Sequence, residues 1–398
     1  MGNTSAAEQK KRSLGQHSIV YFGNDWFTEN RTSSHHIARR LARIAPVLYV
    51  ETPGIRAPRA TARDFRKIFN RLSTMFAPPR RIGEQIHLIT MPQIPLRRLP
   101  LVGPLNRHLG RFLVRRAMRK LGFRNVISWF VVPHPGILAG KLGDRLTVYY
   151  CVDDYAAFPG VDTATIRKID DELTRRASVL FVTSPVLLEA KRAQRPDAHF
   201  SPHGVDAEMF AQASANEPPA EPVRALKHPV IGYFGNLGEW INYDLILHLV
   251  RSRPQWTFLL IGYAAAELGE LKACPNVVLP GPQPYEALPL WARAFDVAII
   301  PYRLTQQVKY ANPLKLREYL ATGKPVVSVT TPETARFEGL IQLADTPEDY
   351  LAAVENALRN DTPELSRKRM EAIALSSWDA RFQETVSVVE EFLNSKES

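Results

Sequence analysis

At 398 residues, with 45% apolar and 23% charged side chains, the chain has room for two domains of ordinary size and the composition of a soluble globular protein, which excludes fibrous and disordered classes. Its only cysteines, Cys151 and Cys274, are far apart and lack metal-ligand spacing, which excludes a disulfide scaffold or structural zinc site and fits a reducing cytosol. The net charge of +11 is concentrated: residues 56–120 hold sixteen Lys/Arg against Asp64 and Glu84, a balance of +14, so the remainder carries −3.

Residues 1–16 are polar and lack the apolar core of a secretory signal, so they read as a disordered tail. The apolar run from Ser18 into Tyr21-Phe22-Gly23-Asn24 predicts a strand and a tight glycine turn, followed by a helix near His35–Ala45 and a strand at Val47–Val50. Beyond the basic region the pattern predicts strands at Asn125–Val131 and Leu146–Val152, a helix at Asp162–Ala177 and a strand at Val179–Thr183. Residues 206–228, rich in Ala, Pro and Glu, read as a linker. Then Val230–Phe234 runs into Gly235-Asn236 and repeats the Tyr-Phe-Gly-Asn of the first strand. Further strands are predicted at Thr257–Ile261, Val277–Leu279, Val297–Ile300 and Val326–Val329. Strands alternating with helical stretches predict an α/β protein of two similar domains with parallel sheets, 17–205 and 229–375, and a final helix at 376–398. In such sheets ligands bind beyond the carboxyl ends of the strands, which places the expected site in a cleft between the domains. No run reaches the ~18 apolar residues of a membrane-spanning helix.

Within the basic region, Phe65, Ile68, Phe69, Leu72, Met75 and Phe76 fall on one helical face, and Arg63, Arg66, Lys67 and Arg71 on the other. That pattern fits a helix lying in an anionic membrane interface through 63–81, and equally an amphipathic helix packed on its own sheet. No nucleic-acid recognition motif accompanies the charge.

The most informative stretch is Asn312-Pro313-Leu314-Lys315-Leu316-Arg317-Glu318, ending at Gly323 before the strand at Val326. A loop, a short helix and a buried strand in that order present free N–H groups at a helix N-terminus, which favour an anion. Lys315 adds a point charge, and Glu318, one turn further, is placed to hold a pair of sugar hydroxyls. A diphosphate next to a ribose fits. Neither glycine turn is G-x-G-x-x-G, no P-loop occurs, and no Asp-x-Asp metal clamp is present, so neutralisation falls to helix N-termini, Lys315 and candidates Arg303 and Lys309. Asp153-Asp154 directly after a strand suits a general base and also a turn or cap. His134 and His203 sit at strand ends, where either a cleft role or a structural one fits. Arg31 and His35 follow the first glycine turn and read as acceptor-binding residues or as an exposed helix start.

The run 312–327 resembles the donor-site motif of GT-B glycosyltransferases, particularly the family 4-like group and its relatives making capsule, teichuronic acid and exopolysaccharide. Gly235-Asn236-Leu237, Gly262, Gly281, the His203–Asp206 sequence HGVD and Ser377-Trp378-Asp379 match in order. The resemblance implies two Rossmann-like domains, with a C-terminal helix crossing back and the first domain binding the acceptor. It also implies that Gly281 and its neighbours contact the nucleobase, Asn312, Pro313, Leu314 and Lys315 the diphosphate, and Glu318 the ribose. Two departures stand out. The first of a pair of glutamates usual in family 4 falls on Tyr310, and the basic pair expected after the first strand of the second half is replaced by Leu237-Gly238-Glu239-Trp240-Ile241-Asn242. A lysine as main diphosphate contact is similar to the membrane-associated glucuronosyltransferases of xanthan assembly, in which an aspartate matching Asp153 is the base.

The expected function is transfer of a sugar from a nucleotide sugar, of the UDP type, to a hydroxyl of a lipid-linked or growing glycan, without a metal, on the inner face of the plasma membrane. A nucleotide-sugar epimerase of the same fold and a non-catalytic membrane adaptor are the alternatives.

Overall fold

The computed structural model describes residues 13–27, 31–52, 77–91, 102–215 and 217–397. They form two compact units, one of residues up to 202 (without 29–31) together with Phe382–Ser398, the other built on His203–Arg381 and including Arg31.

The first unit carries β1 (Ser18–Gly23), α1 (Ser33–Leu41), β2 (Val47–Glu51), β3 (Arg80–Arg81), β4 (Ile86–Thr90), α2 (Val102–Lys120) and β5 (Val126–Phe130). It continues with β6 (Leu146–Cys151), α3 (Thr163–Arg176), β7 (Val179–Val182), α4 (Pro185–Arg192) and β8 (His199–Phe200). Its eight-stranded sheet has the order β3-β4-β2-β1-β5-β6-β7-β8 and is parallel except for the edge pair β3–β4. Strands β1, β2, β5, β6 and β7 are buried along their whole length. Parallel strands covered on both faces are apolar at nearly every position, with Glu51, Ser128 and Thr147 among the buried exceptions, which is why they read as near-continuous runs rather than alternating ones. The strand order reverses between β1 and β5, so the first glycine turn lies at a switch point. Gly23 is required there, because a Cβ would overlap the Tyr49 and Ser34 hydroxyls. Helix α2 packs through Asn106, Gly110, Leu113, Val114 and Ala117. Gly110 permits the contact, since a Cβ would stand 3.1 Å from Met91 Sδ.

The second unit carries α5 (Ala207–Ala211), β9 (Val230–Phe234), α6 (Tyr243–Ser252), β10 (Thr257–Ile261), β11 (Val277–Gly281), α7 (Leu288–Ala292) and β12 (Val297–Ile300). It then has α8 (Gln306–Tyr310), α9 (Leu314–Ala321), β13 (Val326–Ser328), β14 (Gln342–Leu343), α10 (Pro347–Asn360), α11 (Pro363–Ala374) and α12 (Trp378–Glu397). The six-stranded sheet, order β11-β10-β9-β12-β13-β14, is parallel throughout, with its switch point between β9 and β12.

The two Tyr-Phe-Gly-Asn segments thus end the strand beside the switch point in each sheet. Two expectations change. Leu14, inside the expected tail, is fully buried in a short 3-10 turn. Residues 206–228 are not a linker: Phe210, Ala213 and Val223 lie in the core of the second unit. The C-terminal helix crosses back as expected, its first residues belonging to the second unit and Phe382 onward to the first. The expected interface helix at 63–76 lies outside the described residues.

Candidate active site

In the second unit the site is built on the bend after β9. Gly235 has φ +126°, a conformation that L side chains rarely adopt, and its N–H bonds Ile261 O at 2.8 Å. A Cβ on Gly262 would overlap the Gly235 carbonyl oxygen, so the ends of β9 and β10 meet backbone to backbone. Gly281 (φ +78°) closes the row by accepting the Gly262 N–H at 3.0 Å. The chain after the bend supplies no cation: Leu237 and Ile241 are buried, Glu239 is acidic, and the Asn242 side chain caps α6 by accepting from Leu245 N at 3.1 Å. The cation comes from α9 instead. A Cβ at 235 would overlap Lys315 Cε and Nζ, so the ammonium rests on the bare backbone of the bend. Its Nζ stands 5.3 Å from the Tyr233 ring centre. Burial alone would lower its pKa, but the hydroxyls of Tyr233 and Tyr302 and the Glu318 carboxyl raise it above the usual lysine range, so Lys315 stays charged. Pro313 at the N-cap leaves the first amides of α9 open, as at any helix start. One ammonium and a helix N-terminus therefore converge on a glycine bend, the physical requirement for an anion site.

Behind this bend the Asn312 carboxamide oxygen accepts from Arg317 Nη1, and Arg317 Nη2 is 2.5 Å from Glu333 Oε1. All three residues are buried. The Asn312 side chain thus braces the loop. Arg303, a candidate diphosphate contact, is engaged elsewhere, its Nε donating to Ile241 O at 3.0 Å. Lys309 is exposed on α8.

Glu318 is buried, and its carboxyl is pushed up to about 7 by burial, with the Asp206 charge adding to that and Lys315 and a hydrogen bond from Tyr285 opposing it. Tyr285 also donates to Asp206 Oδ2 at 3.2 Å. Asp206 was noted only as the end of the HGVD match, and neither it nor Tyr285 or Tyr233 was given a site role from sequence. Asp206 fell in the supposed linker, and Tyr285 lies 79 positions from it in the chain. Arg31 joins this cluster: its guanidinium lies 4.7 Å from the Tyr285 ring centre and pairs with Glu286. His203 is buried against Trp378, ring centres 5.8 Å apart, and burial together with the Arg317 charge lowers it to about 3. It is a neutral imidazole at physiological pH.

In the first unit, Asp153 follows β6 by two residues and is partly buried. Burial, reinforced by the Asp154 charge, pushes its carboxyl up to about 7. The two neighbours differ in their surroundings. Asp154 is the turn residue, its carbonyl accepting from Ala157 N at 3.0 Å and its carboxylate 3.5 Å from Arg167. The Asp153 carboxylate has no ion pair among the described residues. His134 begins the 3-10 turn His134–Leu138 after β5 and is buried. His35 differs from expectation: its Nδ1 faces Thr32 N at 3.1 Å and Thr32 Oγ1 at 2.9 Å, while Nε2 lies 3.1 Å from Trp26 O. Nδ1 thus serves in the cap of α1 and Nε2 meets the Trp26 carbonyl, which removes His35 as an acceptor contact.

Residues 228–360 match the family model described as glycosyl transferases group 1. TuaH of Bacillus subtilis (strain 168), named as a glycosyltransferase of teichuronic acid biosynthesis, is 26% identical over 277 residues, covering 64% of this chain and 70% of TuaH. Among solved structures, the sucrose-phosphate synthase of Thermosynechococcus elongatus aligns with TM-score 0.69 at 14% identity, over 95% of this chain and all of that one. Anabaena Alr3699/HepE, solved with UDP-glucose, aligns with TM-score 0.64 at 14% identity, over 94% of this chain and all of that one. The parallel sheets, the glycine bend with its lysine and these matches define a glycosyltransferase. The chain has the GT-B fold, and the match to glycosyl transferases group 1 lies within its second unit.

Proposed function

We propose that the protein moves a sugar from a UDP-sugar to a hydroxyl of a lipid-linked or growing glycan in cell-surface polysaccharide synthesis, working at the cytoplasmic face of the membrane. The observation that carries the donor assignment is the Lys315 ammonium seated on Gly235 beside the start of α9. As the bond between the sugar's anomeric carbon and the phosphate oxygen breaks, its electron pair moves to the diphosphate, and charge developing there meets Lys315 and the first amides of α9. No metal is needed for that step in this reading. Glu318 holds the ribose hydroxyls, and Asp153 accepts the proton that the acceptor hydroxyl loses. A carboxyl raised to about 7 suits a base working near neutrality. TuaH, by its name, and HepE, by its bound UDP-glucose, support the polysaccharide and UDP parts of the reading. No helix among the described residues is long and apolar enough to cross a membrane, so the membrane part rests on surface charge.

Calorimetric titration with UDP, UDP-sugars and the corresponding GDP and ADP compounds is the test. Saturable UDP binding, insensitive to chelator and followed by UDP release in the presence of a glycan acceptor, is expected. UDP release that needs no acceptor would instead indicate an epimerase or hydrolase.

A further inference from the structure

Helix α2 carries His108, Arg107, Arg111, Arg115, Arg116, Arg119 and Lys120 and no acidic residue. Its buried stripe faces the sheet, which leaves Leu105 and Phe112, seven positions apart and therefore on one side of the helix, each 51% exposed. An open groove beside them is lined by Arg111, Phe112, Arg115, Arg119, Phe123 and Leu142. Arg111, Arg115 and Arg119 follow one another at single-turn spacing, and no carboxylate pairs with any of them among the described residues. The local field is correspondingly positive. Lys141, at the same end of the unit, is held below its usual range by burial and by Arg107, Arg176 and Arg111, against which Glu172 acts only in part.

An unneutralised row of arginines calls for phosphates, and two exposed apolar side chains on the same face call for an apolar phase beneath them. A soluble polyanion satisfies the first and leaves Leu105 and Phe112 in water. We infer that the exposed face of α2 is a docking surface for an anionic phospholipid bilayer, with Arg111, Arg115 and Arg119 on headgroup phosphates and Leu105 and Phe112 inserted among the acyl chains. This rests on the membrane reading above and names a surface different from residues 63–81. It places the first unit of the enzyme against the leaflet in which a lipid-borne acceptor would reside.

The full-length protein is sedimented at low salt with phosphatidylcholine vesicles, with and without phosphatidylglycerol. The wild type is expected to bind only the anionic vesicles and to be released by salt. The triple variant Arg111→Gln, Arg115→Gln, Arg119→Gln should lose about a hundred-fold in partitioning, from about a factor of five per charge, while its UDP affinity and melting temperature stay at wild-type values. Phe112→Ala with Leu105→Ala should weaken binding to the same vesicles at every salt concentration. If the triple variant sediments like wild type, or if Arg66→Glu, Lys67→Glu and Arg71→Glu alone abolish binding, the α2 surface is refuted and the membrane reading stands. A wild type that binds no vesicle, or binds neutral ones equally, overturns both. Loss of heparin retention by the triple variant with vesicle binding intact assigns the face to a soluble polyanion and overturns the inference.

Discussion

Replacing Lys315 by Met keeps the stem that packs on Tyr233 and Gly235 and removes only the charge. A diphosphate lodged on the Gly235 bend would meet the ammonium in a charge-assisted hydrogen bond. At an effective dielectric constant of about 20, two unit charges about 4 Å apart attract by about 4 kcal/mol. Truncating one partner of an enclosed charge pair costs about 2–5 kcal/mol in measured cases. A value within that range, about 3 kcal/mol, corresponds to a loss of about 150-fold in UDP affinity. Uridine, which carries no phosphate, should bind the variant as it binds wild type. The Glu318 carboxyl should move further above its present value of about 7, since Lys315 is the charge holding it down. Titration calorimetry with UDP and uridine, wild type beside variant, measures the difference directly. Equal losses for the two ligands, or no loss for UDP, would refute the assignment of the diphosphate to this bend.

Asp153→Asn should lower kcat by about 10²–10⁴-fold with UDP affinity unchanged, and wild-type kcat/KM should fall as pH drops below about 7, read from steady-state rates. The same carboxyl makes a linkage prediction. Its folded pKa lies above the unfolded value of 3.8, so its contribution to stability is present at acid pH and is lost as pH rises through about 7. The stabilisation gained by Asp153→Asn should therefore grow from pH 4 to pH 7 and then level off, as followed by thermal unfolding. Glu333→Ala strands the buried Arg317 cation and should cost about 3–5 kcal/mol in urea unfolding, whereas Glu333→Leu combined with Arg317→Met should recover most of that.

The sequence was most legible where both faces of a strand are covered. Val230–Phe234, Thr257–Ile261 and Val297–Ile300 run from the first to the last residue read from the apolar pattern. Helix α3 falls within one residue of its expected ends because Asp162 caps it, accepting from Thr165 N at 3.3 Å. Helix α2 was hidden because its solvent face is arginine rather than a mixture of charges, and Gly103-Pro104 at its start reads as a loop. The linker reading failed because Ala, Pro and Glu dominate 206–228, and single residues such as Phe210 and Val223 do not make a periodic signal. Lys315 and Glu318 stood out because one short helix carries both. Asp206, Tyr285 and Tyr233 did not, because the chain brings them to that helix only through the tertiary fold. For His35, sequence gave the residue type but not the two backbone and hydroxyl partners that occupy its ring.

The Asn312–Arg317–Glu333 brace has a thermodynamic consequence for the ligand. Immobilising backbone costs about 1–2 kcal/mol per residue, and here the loop leading into α9 undergoes that loss of freedom when the chain folds, because three buried side chains hold it whether or not a nucleotide is present. Free and liganded loops should then superpose, and occupancy should stay constant in sub-denaturing urea until the whole second unit melts.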